Sequence, residues 1–244
     1  MSKQRPEDNG SGTVVISAPP PTDPTVDLDQ FLNLQQPGQS VGSVKTGVDI
    51  PDADRVVIVG IFADDSGSMT HLYEAVKDGF KLSVEAFRGA KGSDFYLDVR
   101  GFMGVFFQGL LKDVIPTSFD RYDTSHNTTP LCSYTIAHLK DLHAKAEQYR
   151  RMGIPTTVSL LIITDGDPYR DEALPTDFAN TVQSGDYIVG MGIAQEGNDA
   201  AMAKYGQLFK AMGATKIVTS KSAPAEVRHA INQFSQSVAS IAAA

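Results

Sequence analysis

Val56-Val57-Ile58-Val59-Gly60-Ile61-Phe62-Ala63, running straight into Asp64-Asp65-Ser66-Gly67-Ser68-Met69, is the stretch that decides the fold. An unbroken apolar run of strand length ending at a polar turn reads as a strand buried on both faces, as in a parallel sheet covered by helices. Downstream, Leu72, Val76, Phe80, Ser83 or Val84, and Phe87 recur at helical spacing, and Gly89 closes the run. Residues 158–164 and 187–193 repeat the buried-strand pattern, and 216–219 form a last strand. Helices are predicted over 129–151, near Phe178, over 199–212 and over 224–241. For the first of these, Thr129 stands in the N-cap place and Pro130 at the first helical position. Residues 95–103 and 105–115 read as two neighbouring strands of a hairpin, followed by a polar loop over 117–129. Strands alternating with long helices build βαβ units. The expected fold is α/β: a doubly wound, mostly parallel, Rossmann-like sheet flanked by helices, with one antiparallel edge strand.

Composition narrows the function. The chain of 244 residues carries 21 Lys plus Arg against 29 Asp plus Glu, a formal net charge of −8. Such a surface has no general attraction for a phosphate backbone or an anionic membrane, so neither nucleic acid nor membrane is an expected partner. The single cysteine, Cys132, excludes an internal disulfide and a thiolate zinc cage. Residues 1–7 lead into no apolar stretch, and no apolar run approaches a membrane span. A cytoplasmic setting is expected. Residues 1–52 are rich in Pro and Gly and give no periodic apolar face; they read as a flexible extension preceding a domain over 53–244. Two short apolar islands in that extension, Val14-Val15-Ile16 and Phe31-Leu32-Asn33-Leu34, are candidates for docking on a partner or on the chain's own domain.

In doubly wound folds, ligands sit beyond the carboxyl ends of the strands, where the strand order reverses. The polar residues predicted at those ends are Asp64, Ser66 and Ser68 after the first strand, Thr129 at the start of the long helix, and Asp165 after the strand over 158–164. Two carboxylates and three hydroxyls make a hard, all-oxygen donor set suited to Mg²⁺, Mn²⁺ or Ca²⁺ and not to zinc or copper.

These residues carry a resemblance. Asp64-Asp65-Ser66-Gly67-Ser68-Met69 resembles the Asp-x-Ser-x-Ser signature of von Willebrand factor type A domains, Thr129-Pro130-Leu131 that family's Thr-Pro-Leu element, and Thr164-Asp165-Gly166 its Thr-Asp-Gly element. Together they make up that family's metal-ion-dependent adhesion site. The resemblance spans residues 55–241 and implies that Ser66, Ser68 and Thr129 offer hydroxyl oxygens to the metal. Asp64 and Asp165 would supply charge, directly or through water, and orient the serines. Asn127 and Thr128 stand where the family usually has glycines, which leaves Thr128 as an alternative ligand. The implied function is a metal-dependent protein–protein interaction module that binds a partner's Asp or Glu through a divalent cation. Family relatives point to an adaptor in an intracellular bacterial or phage-related assembly, with an AAA+ ATPase or assembly subunit as partner.

Other residues read more plainly. Asp65 and Asp167 are expected to be solvated loop carboxylates capping turns, His126 a solvated loop histidine, and Cys132 a small half-buried side chain. His138 and His143 are five apart, off the helical face needed to share a metal, and Val44 replaces the glycine a phosphate loop needs before Lys45-Thr46. Ser66 stands where a haloacid-dehalogenase-like phosphatase has its second acid, and neither Ala63 nor Asp64 supplies the leading glycine that a Gly-x-Ser-x-Gly elbow needs at this strand end. No base–nucleophile–orienter set emerges, so a non-enzyme is expected. Two alternatives stay open: a structural subunit whose metal only stabilises the fold, and a metal-dependent phosphohydrolase.

Overall fold

The computed structural model describes residues 50–243. The two apolar islands and nearly all of the expected extension over residues 1–52 lie outside the described residues. Six strands form one sheet: β1 (Val56–Ala63), β2 (Asp94–Gly101), β3 (Gly104–Leu110), β4 (Thr156–Thr164), β5 (Tyr187–Ala194) and β6 (Lys216–Lys221). Their order is β3-β2-β1-β4-β5-β6. Every pairing is parallel except β2 with β3, which makes β3 the antiparallel edge strand. The helices are α1 (Tyr73–Gly89), α2 (Leu131–Arg151), α3 (Pro175–Ala179), α4 (Asp199–Ala211) and α5 (Pro224–Ala243), and a 3₁₀ turn over Gly67–Leu72 precedes α1.

The period-two geometry of a strand divides β1 between two cores. Val57, Val59, Ile61 and Ala63 face the layer built by α1 and α5, where Val76, Phe80, Phe87, Ile231 and Phe234 are buried. Val56, Ile58 and Phe62 face the opposite layer, with Leu139, Leu142 and Tyr149 of α2 and Phe209 of α4. Gly60 lies on that second face because a Cβ there would stand 2.5 Å from a Leu142 methyl carbon. All of β1 is buried, as its continuous apolar run requires.

Two expectations need correction. The apolar run over 105–115 does not stay extended: β3 stops at Leu110 and the chain turns through a short 3₁₀ segment, Leu111–Asp113. Apolar content alone could not separate an edge strand from a covered turn there. The long helix, in turn, starts at Leu131, with Pro130 and not Thr129 in the cap place and no side-chain cap from Pro130. Its free N–H groups are met from a distant loop: the Asp171 carboxylate accepts from the N–H groups of Cys132 and Ser133 and from the Ser133 hydroxyl. The Thr129 carbonyl accepts N–H bonds from Leu131 and Tyr169, each at 2.8 Å, which ties the start of the helix to the loop carrying Asp171.

Candidate metal centre

The sheet order reverses between β1 and β4, the two strands that start the outward runs in opposite directions. Asp64 follows β1 and Asp165 follows β4, so the crevice between these strand ends receives both carboxylates. Asp64 is wholly buried and held on every side. Its Oδ1 accepts the Ser66 N–H at 2.8 Å, and its Oδ2 accepts the Thr164 hydroxyl at 2.6 Å. Its backbone N–H donates to the Ile163 carbonyl at 2.8 Å and its carbonyl accepts the Tyr122 hydroxyl at 2.9 Å. Thr164 is itself held by the Gly166 N–H at 3.1 Å.

The serines complete a chain of oxygens. Ser68 donates its hydroxyl to Asp165 Oδ1 at 2.7 Å, which leaves the 3.0 Å contact with Ser66 to be donated by Ser66. A Cβ added at Gly166 would stand 3.7 Å from Thr129 Oγ1 and 3.9 Å from Asp64 Oδ2, so the Thr129 hydroxyl borders the same crevice. Thr129 is buried, whereas the Thr128 hydroxyl lies 3.5 Å from His126 Nδ1. Asp64, Ser66, Ser68, Thr129 and Asp165 are therefore brought together, and Thr129 is the threonine that faces them.

The readings of the neighbours change. Asp65 is not a solvated loop carboxylate: it is completely buried and accepts the Phe102 and Met103 N–H groups, both at 2.9 Å, so it caps the β2–β3 turn from beneath. His126 is not merely solvated. Its backbone N–H donates to the Asp65 carbonyl at 3.1 Å and its carbonyl accepts from Gly67 at 3.0 Å, pinning the loop that carries Ser66 and Ser68. Its ring packs on Phe102, centroids 5.2 Å apart. Cys132 is wholly buried instead of half-buried, and burial together with nearby Asp171 pushes its thiol up to about 12. Asp167 does lie at the surface, paired with Lys204. The orienting role of Thr164 appears only once β1 and β4 are side by side, because its partner Asp64 is 100 residues away. Asp171 had no sequence signal, since it lies 39 residues from the helix end it caps.

The electrostatics favour a cation. Burial pushes the Asp65 carboxyl up to about 6 and raises Asp165, in both cases with a further push from Asp64. Burial and then Asp165 push the Tyr205 phenol up to about 12, and its hydroxyl donates to the Asp165 carbonyl. Among the described residues, no Lys or Arg pairs with Asp64, Asp65 or Asp165. His71 and His126 offset the burial of Asp165 and Asp65 only in part, and a bound cation would offset the rest. Among the described residues no group of three or more His, Cys, Asp or Glu side chains is placed to hold a metal ion. The donors here are two carboxylates and three hydroxyls, a set that suits a hard cation.

Comparisons with known proteins bear on the fold. The pilus adhesin SpaC from Lactobacillus rhamnosus GG, in its open conformation, aligns at 14% identity and a TM-score of 0.55, over 79% of this chain and 31% of that one. The D319A mutant of the PilB minor pilin from Streptococcus sanguinis aligns at 10% identity and a TM-score of 0.51, over 76% of this chain and 61% of that one. A von Willebrand factor type A protein from Catenulispora acidiphila aligns at 14% identity and a TM-score of 0.47, over 77% and 43%. The first two likenesses show the fold alone: a mostly parallel α/β sheet with one antiparallel edge strand, flanked by helices. This chain spans less than two thirds of the length of each of these chains. No protein-family profile matches the sequence, and no curated protein matches it. Among the described residues, no helix is long and apolar enough to cross a membrane.

Proposed function

We propose that the crevice between β1 and β4 binds one divalent cation and that the cation recruits a carboxylate from a partner protein. The observation that carries this reading is the convergence of Asp64, Ser66, Ser68, Thr129 and Asp165 on one crevice whose carboxylates, among the described residues, have no Lys or Arg partner. Ser66, Ser68 and Thr129 would offer hydroxyl oxygens, with Asp64 and Asp165 supplying charge. Mg²⁺ fits this donor set, and Mn²⁺ or Ca²⁺ would fit it also. A bound cation would supply a positive charge to a protein that is otherwise acidic, which is how such a surface could attract an acidic partner.

This chain's own groups do the positioning. Thr164 and the Ser66 N–H fix both oxygens of Asp64, and Asp165 fixes Ser68. The chemistry asks for no nucleophile or general base, in keeping with a binding module and not an enzyme. The adaptor role in an intracellular assembly, with an AAA+ ATPase or assembly subunit as partner and a cytoplasmic setting, rests on the sequence resemblance.

Calorimetric titration with Mg²⁺ and Mn²⁺ tests the site. One binding event is expected in the wild type, lost in Asp64→Ala and in Asp165→Ala. Undiminished metal binding in both variants refutes the assignment. Partner capture in Mg²⁺ against EDTA then separates recognition from a merely structural metal: the fold should persist in EDTA while partner binding is lost.

A further inference from the structure

We propose that Tyr169 and Arg170 are the specificity-determining arm of this site, and that the partner segment carries two acidic side chains, one for the cation and a second for the Arg170 guanidinium. The inference rests on the reading above and adds the partner's chemistry to it. Arg170 has φ 56°, the one positive φ at a non-glycine position among the described residues. L-residues rarely adopt this conformation, and it persists only where the surroundings over-determine it. Here they do so from both sides. Tyr169, the preceding residue, donates its N–H to the Thr129 carbonyl at 2.8 Å. Asp171, the following residue, is locked onto the first turn of α2. The backbone between these two anchors is held in place, one residue from the Tyr169 N–H that is bonded to the threonine bordering the crevice.

The side chains suit a carboxylate. The Arg170 guanidinium lies 5.2 Å from the centroid of the Tyr169 ring, and both residues are exposed. Among the described residues no carboxylate pairs with Arg170, although acidic side chains outnumber basic ones and most of the other arginines are engaged. A guanidinium stacked on an aromatic face keeps its donor fork free for a planar bidentate acceptor. Being pre-oriented, it loses little freedom on binding.

The test uses the full chain in Mg²⁺ and blocked, fluorescently labelled peptides bearing an Asp and, two, three or four residues later, either a second Asp or an Asn. At least one diacid peptide is expected to bind wild type about tenfold more tightly than its Asn control, equivalent to ~1.4 kcal/mol from a charge-assisted bidentate pair. Arg170→Gln and Arg170→Gly should abolish that preference and leave the Mg²⁺ titration unchanged. Arg170→Gly should also leave the fold at least as stable, because glycine accepts the positive φ without strain. Equal binding of diacid and control by the wild type, no binding of any peptide, or an undiminished preference in Arg170→Gln overturns the proposal. Failure of the underlying reading would appear separately, as a wild type that takes up no Mg²⁺ or peptide binding that ignores EDTA.

Discussion

Gly101→Ala probes how tightly the metal loop is wedged against the sheet. A Cβ at residue 101 would stand 2.6 Å from Asp65 Oδ2, 2.7 Å from Asp65 Cγ and 2.8 Å from the Ala63 carbonyl oxygen. The third contact is backbone, so no side-chain rotation relieves it. The end of β1 must retreat from β2 by roughly half an ångström in a close-packed interior, where such overpacking costs about 1–3 kcal/mol. Asp65 cannot swing aside cheaply either, because it holds the Phe102 and Met103 N–H groups. At a slope of about 2 kcal/mol per molar urea, a cost of ~2 kcal/mol lowers the unfolding midpoint by about 1 M. Ala63 and Asp65 flank Asp64, so Mg²⁺ affinity should fall in the same variant. The control is Gly206→Ala within α4, where an added Cβ meets nothing within 4 Å. That change should stabilise by up to about 1 kcal/mol through helix propensity and leave Mg²⁺ affinity unaltered. Urea unfolding in EDTA measures the stabilities, and calorimetry measures the metal. A Gly101→Ala protein within ~0.5 kcal/mol of wild type, the usual scatter of innocuous substitutions, with unchanged affinity would refute the wedge argument.

Three further outcomes are expected. Asp171→Ala, which strips the first turn of α2 of its acceptor, should cost about 1–2 kcal/mol, the range for a lost helix cap, and midpoint shifts in urea would show it. Cys132 should resist iodoacetamide in the native state at pH 8 and react on unfolding, because burial keeps the thiol protonated; rapid native alkylation would contradict this. Burial alone would raise the Asp98 carboxyl, but His138 and Arg100 outweigh it and hold the group well below the ordinary carboxylate range. Its folded pKa is therefore below its unfolded one, so its stabilising contribution is present above about pH 4 and is lost as pH falls below that. Asp65, raised to about 6, works in the opposite sense, with protonation favouring the folded state between about pH 6 and 4. Asp98→Asn should flatten the acid limb of a stability–pH curve measured by urea unfolding; an unchanged limb would remove Asp98 from the account.

Much of the fold was legible because the signals are local. The apolar run over Val56–Ala63, the helical spacing from Leu72 to Phe87 and the polar residues at strand ends depend on neighbours within a few positions, and periodicity records those directly. The same reading placed Asp64, Ser66, Ser68, Thr129 and Asp165 as candidates, because carboxyl ends of parallel strands open into crevices whatever the sequence between them. It misread Asp65, Asp167's neighbour in kind, as solvated, because nothing local shows that the β2–β3 turn folds over it. It assigned the cap of α2 to Thr129, whereas the acceptor for that helix end comes from Asp171. The strand order, the hydrogen bond from Thr164 to Asp64 across 100 residues, and the strained display of Arg170 between two anchored neighbours were decided only in three dimensions. Hydrophobic period is written along the chain, but the partner of a buried polar group is whichever donor or acceptor the packed layers bring within about 3 Å of it.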